Sequence, residues 1–355
     1  MKVHVVGAGP AGSISAISAL RQGHEVVISE EHQEAGVPEN CSGLFSKDGL
    51  DSLSGFFDYR KSVINRIHGA DINFAGTWLK VRRSEPVGFV CSRRIVDSAL
   101  ASNAESEGAA INYGERVSGN YLSETVIGAD GPASSVAMNF GMGRIRHYAA
   151  TLQATVPYQS ENPRIVEVHL SSDSFPGLFG WVIPQDEETA EIGVGVSMPG
   201  NPLSAWEKLL KMKKLPWAKP RGWSIPLEAR PRTAMRRGKY SVLLAGDAAG
   251  QVKATTGGGV IFGGQCAALA GRHASNPEMY ELAWRMKYGT DLTIHKAISN
   301  YLSSLDEVKL RALGAKLNRM NWGEFLSNHG HMDKPTKMMG PSMITHVLKN
   351  IAGVS

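Results

Sequence analysis

The stretch VHVVGAGPAG, residues 3–12, decides the fold because it joins a buried strand pattern to a glycine-rich turn. Residues 14–20 continue as an apolar helix pattern, and a second strand pattern over residues 26–28 ends at Glu30. A strand, a glycine turn, a helix, a second strand and an acid in this order are typical of a dinucleotide-binding site. The sequence therefore predicts a Rossmann-like α/β unit at the start of the chain.

Each part of this unit has a physical role. Gly7 permits the tight turn, Gly9 lets the backbone approach a pyrophosphate, and Gly12 lets the helix pack closely on the strand. The pyrophosphate would lie against free N–H groups at the positive end of the helix dipole. Glu30 follows Gly12 by 18 residues, where a carboxylate can accept hydrogen bonds from both ribose hydroxyls. The predicted cofactor-binding residues of this unit are Gly7, Gly9, Pro10, Ala11, Gly12 and Glu30.

Composition excludes several classes of protein. The chain has 355 residues, three cysteines and a formal net charge of +5, which allows about two domains. Three separated cysteines favour a reduced, cytoplasmic setting and cannot hold a four-cysteine iron–sulfur cluster. No apolar run approaches the roughly 18 residues of a membrane helix, and Met1 leads directly into the first strand, so we expect no secretory signal. The charge count shows no patch, and we expect no nucleic-acid partner and no metal site.

The middle and the end of the chain follow different patterns. Alternating residues over 62–90, and four longer runs between 149 and 196, predict antiparallel strands with an ordinary core that includes Trp206 and Trp217. Residues from Pro277 onward have helical spacing, and the amphipathic segment Met338–Ile351 could pack on the protein, cover a substrate or touch a membrane surface. The predicted domains are a cofactor-binding domain (1–62, 85–140 and 238–275), an inserted antiparallel β-sheet substrate domain (63–84 and 141–237) and a helical C-terminal region (276–355).

Further candidate site residues lie where predicted strands end. Cys41 follows the second strand, where it could approach a cofactor ring, although a free cysteine is more often a small buried hydrophobe. Arg93 could donate to a phosphate or a ribose, or remain a surface arginine. Asp130-Gly131 and Gly246-Asp247 form glycine turns after apolar strands. Gly257, Gly258 and Gly259 precede an apolar helix, which indicates close backbone approach to a flat or charged group.

These separated motifs together resemble the FAD-binding set of the hydroxylase-type flavoproteins. Within that superfamily the chain resembles the geranylgeranyl reductase family, especially its archaeal members. Phe179-x-Trp181-x-Ile183-Pro184, followed after eight residues by Gly193-x-Gly195, is similar to that family's aromatic-x-Trp-x-Phe-Pro and Gly-x-Gly pattern. The loop around Cys41 and the run from Thr255 to Gly259 also resemble family segments. The chain departs from the family at Phe179 (usually Tyr), Ile183 (usually Phe), Ala254 (usually Pro) and Ser42 (usually Gly).

The resemblance implies an FAD-dependent reductase of carbon–carbon double bonds in isoprenoid chains. It places Cys41 beside the flavin, as a proton relay or a positioning group, and adds Val117 to the cofactor-binding residues. Asp247 would hold the ribityl chain. The implied substrate-binding residues are Phe179, Trp181, Pro184 and Gly193.

Several alternatives stay open at this point. The electron donor could be a ferredoxin, a nicotinamide or a deazaflavin, and contact with the inner face of the cell membrane is one option for localisation. A monooxygenase of the same superfamily is a rival, although such enzymes usually carry a histidine where this chain has Gly250. A flavin electron carrier without a cluster is a second rival.

Overall fold

The computed structural model describes residues 1–338 and 340. Sixteen strands lie within these residues: β1 (Lys2–Val6), β2 (Glu25–Glu30), β3 (Leu44–Ser46), β4 (Val63–Ile67), β5 (Gly69–Phe74), β6 (Thr77–Arg82), β7 (Gly88–Cys91), β8 (Ala110–Tyr113), β9 (Thr125–Gly128), β10 (Tyr148–Pro157), β11 (Ile165–Leu170), β12 (Gly180–Pro184), β13 (Thr189–Ser197), β14 (Arg221–Pro226), β15 (Ala234–Arg237) and β16 (Tyr240–Leu244).

Ten α-helices lie within the same residues: α1 (Pro10–Leu20), α2 (Lys47–Leu53), α3 (Arg93–Ser106), α4 (Ser135–Asn139), α5 (Pro202–Lys213), α6 (Val260–Arg272), α7 (Pro277–Trp284), α8 (Thr290–Ser303), α9 (Glu307–Arg319) and α10 (Trp322–His329). A π-helical turn at Arg285–Gly289 connects α7 to α8. No helix of the described part of the chain is long and apolar enough to cross a bilayer.

The predicted Rossmann-like unit is confirmed. A six-stranded sheet has the order β15-β16-β9-β1-β2-β8, and β1 pairs in parallel with both β2 and β9. Its central strands are buried because α1 and α6 cover one face, with Ile14, Ile17 and Phe262 in a core shared with α3. Parallel strands covered by helices carry continuous apolar runs, as β1 and β9 do.

The predicted second sheet is also present, and it is antiparallel except where β11 pairs in parallel with β5. Seven strands in the order β14-β10-β13-β12-β11-β5-β6 form it, with β14 and β6 at its edges, and a three-stranded sheet β3-β7-β4 lies apart from it. Two strands are paired outside the larger sheet although the predicted substrate domain includes their residues. β4 pairs with β7 in the small sheet, and β15 pairs with β16 in the six-stranded sheet.

Two local features differ from expectation. Helix α3 begins at Arg93 rather than Asp97, because the Ser92 hydroxyl accepts from the N–H of Ile95 and Glu39 accepts from the N–H of Arg93. Trp206 is buried as predicted, but the prediction for Trp217 is wrong, since this side chain is 60% exposed. Trp206 lies on the buried face of α5 and packs in the core, whereas Trp217 lies in the loop after this helix and faces outward. The segment Met338–Ile351 lies, apart from Met338 and Gly340, outside the described residues.

Candidate functional site: three glycine turns and two adjoining cavities

The first glycine turn brings β1 and α1 into close contact. Gly7 has a φ of +100°, and a Cβ there would come within 2.5 Å of the Ala129 carbonyl oxygen. A Cβ at Gly12 would overlap the Gly7 carbonyl, whereas a Cβ at Gly9 would meet nothing within 4 Å. Pro10 opens α1, and no side chain caps the N-terminus of this helix. Gly7 and Gly12 therefore permit the packing, and Gly9 faces open space beside uncapped helix N–H groups.

Glu30 lies at the carboxyl end of β2 and is largely buried. One carboxylate oxygen accepts from the N–H of Ala8 at 2.7 Å, and the other accepts from the N–H of His32 at 2.9 Å. These two backbone donors fix the carboxylate beside the first glycine turn. This is the side of a parallel sheet on which a dinucleotide lies.

The second glycine turn follows β9. One oxygen of Asp130 accepts from the N–H of Val136 at 3.0 Å, and the other is buried with no hydrogen-bond partner in the described part of the chain. The Ser135 hydroxyl lies 2.9 Å from the Asp130 carboxylate and 3.1 Å from the carbonyl of Val117. Gly131 has a φ of +76°, and a Cβ there would meet nothing within 4 Å. Asp130 thus keeps a buried acceptor without a partner in the described residues, and the neighbouring Gly131 faces open space.

The third glycine turn follows β16. Burial raises the pKa of Asp247 to about 6, with Arg93 acting in the opposite direction. A Cβ at Gly259 would come within 2.7 Å of the Asp247 carboxylate, so this carboxylate lies against the start of α6. Gly257 has a φ of +70° and Gly246 a φ of +66°, which explains why glycine occupies both turns.

Cys41 lies next to a buried ion pair. Arg93 donates to Asp97 through two nitrogens, at 3.0 and 2.8 Å. Burial alone would lower the pKa of Arg93, but the Asp97 and Cys41 side chains raise it by more, so the net shift is upward. The guanidinium therefore stays charged beside the thiol. The sulfur of Cys41 accepts from the N–H of Gly43 at 3.4 Å, and its side chain is partly buried.

A polar cavity of about 230 Å³ opens on one side of Cys41. Glu191 of β13 lines it; this side chain is 2% exposed, and one of its carboxylate oxygens has no hydrogen-bond partner within the described residues. The other oxygen accepts from the Thr155 hydroxyl at 2.7 Å. Burial raises the pKa of Glu191, against the effects of Thr155 and Arg221, and so favours the protonated acid. The lining residues are Glu39, Cys41, Ser42, Ile64, Val90, Cys91, Ser92, Thr155, Gln185, Glu191 and Arg221.

An apolar cleft lies between the seven-stranded sheet and helices α8 and α9. Thr255, two residues before the Gly257–Gly259 run, lines one part of it, and Phe179 lines another. Leu178, Leu302 and Leu310 contribute further apolar surface. The cleft therefore reaches the loop that the motifs predict for the cofactor.

The four predicted substrate-binding residues do not all lie in this cleft. Phe179 lines it, but the Trp181 ring packs in a separate core with Ile67 and Val166. Gly193 pairs directly with Trp181, and a Cβ there would overlap the indole ring. Pro184 is buried, and its carbonyl accepts from the Asn65 amide at 2.9 Å. The Trp and Gly-x-Gly positions thus shape the sheet beneath the cleft, and Gly195 makes room for Leu178.

The structure also adds residues that the sequence analysis missed. Glu191 sits in an alternating strand pattern, where nothing marks it as facing a cavity. Lys253 and Asp333 form a buried ion pair at 2.6 Å, and a Cβ at Gly258 would come within 2.8 Å of the Lys253 side chain. The pair connects the glycine loop before α6 to a loop 80 residues further along the chain. No local pattern in the sequence could have indicated this pairing.

The residues fit a flavin nucleotide by their own chemistry. Open space at Gly9 and Gly131 lets a ligand approach the backbone, and the free oxygen of Asp130 offers an acceptor. The uncapped start of α1 suits a pyrophosphate, and Glu30 suits a ribose. The Asp247 carboxylate lies against Gly259 and within the electrostatic influence of Arg93, and ribityl hydroxyls could donate to it there.

Comparison with known proteins agrees with this geometry. The chain is 28% identical over 357 residues to digeranylgeranylglycerophospholipid reductase 1 of Methanothermobacter thermautotrophicus, which covers 88% of this chain and 89% of the relative. The structure superposes on a geranylgeranyl bacteriochlorophyll reductase-like protein of Thermoplasma acidophilum with a TM-score of 0.78 and 20% identity, over 100% and 99% of the two chains.

It also resembles a flavin-dependent brominase, with a TM-score of 0.66 and 13% identity over the whole of both chains. No protein-family model matches the chain. The fold is thus that of flavin-dependent enzymes, and the resemblance to geranylgeranyl reductases that the motifs indicate is confirmed.

Proposed function

We propose that this protein is an FAD-dependent oxidoreductase that reduces carbon–carbon double bonds in geranylgeranyl chains of archaeal membrane lipid precursors. The observation that carries the proposal is the apolar cleft that runs from Phe179 to Thr255, at the edge of the predicted cofactor loop. An apolar wall next to a flavin loop suits a hydrocarbon substrate.

The cofactor-binding residues have separate tasks in this proposal. FAD would supply the hydride when it is bound. Uncapped N–H groups of α1 and the Glu30 carboxylate would hold its nucleotide half, with Val117 and Asp130 nearby. Asp247 would orient the ribityl chain, and the Gly257–Gly259 backbone would lie against the ring.

The polar cavity supplies what the apolar cleft lacks. An isolated double bond needs a proton as well as a hydride, so a positioned acid is required. Glu191 is buried, and burial raises its pKa, which favours the protonated carboxylic acid that a proton donor needs. Cys41 lines the same cavity as Glu191 and lies beside the Arg93 guanidinium. We propose that the proton passes from Glu191 to Cys41 and then to the alkene carbon.

Electrons must be replaced after each reduction. A reduced donor of the ferredoxin, nicotinamide or deazaflavin class would return two electrons per double bond. A chemical reductant takes the place of this donor in the first test.

The test uses purified protein, added FAD and anaerobic dithionite with a geranylgeranylated glycerolipid. Mass spectrometry of the lipid should show two added hydrogen atoms per reduced bond. A protein that remains colourless after incubation with FAD contradicts the cofactor assignment. Flavin-loaded protein that leaves the lipid unchanged contradicts the reductase assignment. Hydroxylation in a parallel assay with oxygen and a nicotinamide would identify the rival monooxygenase.

A further inference from the structure

Residues 201–223 form a strongly basic segment. They contain six lysine and arginine residues and a single acid, Glu207, so their net charge equals that of the whole chain. The segment comprises α5, the loop over residues 214–220 and the first residues of β14. Charge concentrated on one short segment attracts an anionic partner far more strongly than the same charge dispersed over the surface.

The segment is held rigidly on one side. Ala205, Trp206 and Leu209 of α5 pack in a core with the strands of the seven-stranded sheet. The Trp206 indole donates to the carbonyl of Ala218 at 3.0 Å, which ties the following loop to the helix. The Asn201 side chain caps the start of α5. The outward side of the segment is therefore a preformed surface rather than a loose loop.

The outward side carries free cations. Lys211, Lys214 and Lys219 are exposed and form no ion pair within the part of the chain that the structure describes. By contrast, Lys213 pairs with Glu167, and Arg221 lies 3.5 Å from Glu191. Three lysines thus remain available to an external partner.

The segment also exposes large apolar side chains. Trp217 is 60% exposed and Trp223 39% exposed, and Leu203 and Met212 are also exposed. Trp217 lies between Pro216 and Pro220, two residues that restrict the loop backbone. Tryptophan beside lysine is the combination found where proteins meet the interface of a bilayer, because the ring enters the interface and the ammonium groups meet lipid phosphates.

We propose that this segment docks on the surface of an anionic lipid bilayer. A bilayer interface accepts Trp217 and Leu203 while it neutralises Lys211, Lys214 and Lys219, and it requires no matching shape. An acidic protein would neutralise the lysines but would need a complementary apolar site for each exposed side chain. The lipid surface therefore accounts for both features of the segment at once.

Docking would also orient the catalytic region. Arg221, at the end of the segment, lines the polar cavity together with Cys41 and Glu191. A bilayer beneath the segment would then lie beside this cavity, which would fix the orientation of the site toward its lipid substrate. This use of the surface rests on the proposed function, whereas the docking itself does not.

The experiment measures binding to vesicles of phosphatidylcholine mixed with phosphatidylglycerol, by flotation at low and high salt, with vesicles of phosphatidylcholine alone as the comparison. The protein should bind the mixed vesicles at low salt and lose most binding at high salt. The variant K211Q/K214Q/K219Q should bind about 100-fold more weakly, at about 1 kcal/mol per lysine. The control K61Q/K239Q/K316Q removes equal charge from exposed lysines elsewhere and should bind nearly normally.

Trp217→Ser should weaken binding roughly tenfold, because the ring loses its burial in the interface. Tyr301→Ser, which changes a similarly exposed aromatic on α8, is the matched control. No binding to mixed vesicles, or equal losses in the two triple variants, would overturn the proposal. Binding of an acidic ferredoxin without vesicle binding would assign the surface to a protein partner and also overturn it.

A second assay separates this proposal from the reductase assignment. Reduction of geranylgeranyl diphosphate in detergent needs no bilayer, so K211Q/K214Q/K219Q should retain the wild-type rate. If the wild-type protein binds vesicles but reduces no prenyl substrate, the reductase assignment fails and the docking surface stands. If reduction proceeds but vesicle binding is absent, the docking proposal alone fails.

Discussion

The polar cavity and the apolar cleft differ in the charge of the side chains that line them. Two carboxylates and an arginine line the polar cavity, and one buried oxygen of Glu191 has no hydrogen-bond partner in the described residues, although the Arg221 guanidinium lies 3.5 Å from it. Leucine and phenylalanine side chains dominate the apolar cleft, with serine and threonine hydroxyls among them. A hydrocarbon would be stabilised in the apolar cleft and not in the polar cavity, since a buried carboxyl group without a hydrogen-bond partner is costly beside apolar atoms.

This difference indicates a division of labour. In the reaction that we propose, proton supply and hydrocarbon binding need opposite environments, and a single mixed cavity would weaken both. Placing Cys41 in the polar cavity and Phe179 in the cleft keeps the two environments apart. Substitutions on the two sides should therefore change different kinetic constants.

The largest effect is expected at Cys41. Cys41→Ala should retain flavin and lose turnover by about 10²–10⁴-fold, because a positioned proton-transfer group contributes on this scale. Rapid mixing of the reduced protein with prenyl substrate measures the step directly. Cys91→Ala is the matched control, since Cys91 lines the same cavity but burial raises its pKa to about 11, which keeps it a protonated, inert thiol. Equal rates in Cys41→Ala and wild type would remove Cys41 from the mechanism.

Glu191→Gln should lower the same step by about 10²-fold while the KM for prenyl substrate stays unchanged. The wild-type rate should fall as pH rises through the raised pKa of Glu191, because the acid loses its proton, and the variant should lose that limb of the profile. Arg221, Glu39, Cys41 and Cys91 face the same cavity and set the background of this titration.

Glu188→Gln is the control for this prediction, because Glu188 is exposed and precedes the same strand. A pH profile identical in Glu191→Gln and wild type would assign the proton to another group and would break the proposed separation of the two cavities.

Gly195→Ala tests the apolar side with a smaller effect. The added Cβ would overlap the side chain of Leu178, which would be displaced toward the cleft that it lines. We expect about a tenfold loss of kcat/KM for a geranylgeranyl chain, the scale of a small change in an apolar site. Flavin content and the rate with a short prenyl chain should remain normal.

Gly222→Ala is the control in the same sheet, because its Cβ would come within 3.2 Å of Leu152, outside the lining of the cleft. A similar loss for short and long chains in Gly195→Ala would indicate general disruption of the sheet and not a narrower cleft.

The cofactor side of the molecule was predictable because backbone geometry determines it. A side chain at Gly7 or Gly12 would clash with backbone atoms, so the glycines of the motif directly indicate this close backbone contact. The cavities were not predictable, because their linings combine elements that are far apart in the sequence: strands of two sheets in the polar cavity, and a strand end, loops and helices α8 and α9 in the apolar cleft. Glu191 faces Cys41 only through the register of β13, and Trp181 fills a core because Gly193 lies directly opposite it. From its side chain alone, Trp181 was therefore predicted to line the substrate site, whereas in the sheet it makes a packing contact in the core.

The smallest effect concerns Asp247, which lies on the cofactor side of both cavities. Burial raises its pKa to about 6 in the free protein, so ionisation of this carboxyl costs folding free energy as pH rises from about 4 to 6. Ribityl hydroxyls that donate to Asp247 would favour the ionised form and lower its pKa. Affinity for FAD should then increase as pH rises toward 6, by at most about tenfold per pH unit, and level off above it.

Fluorescence titration of the apoprotein with FAD at several pH values measures this dependence. Asp247→Asn should remove the pH dependence and weaken binding severalfold, whereas Asp186→Asn, at an exposed turn, should change neither. The stability of the apoprotein gives an independent check with the opposite sign, because the variant should no longer lose stability between pH 4 and 6. An affinity that is flat across this range in the wild type would place the ribityl chain away from Asp247, and the cofactor would then reach the two cavities in a different orientation.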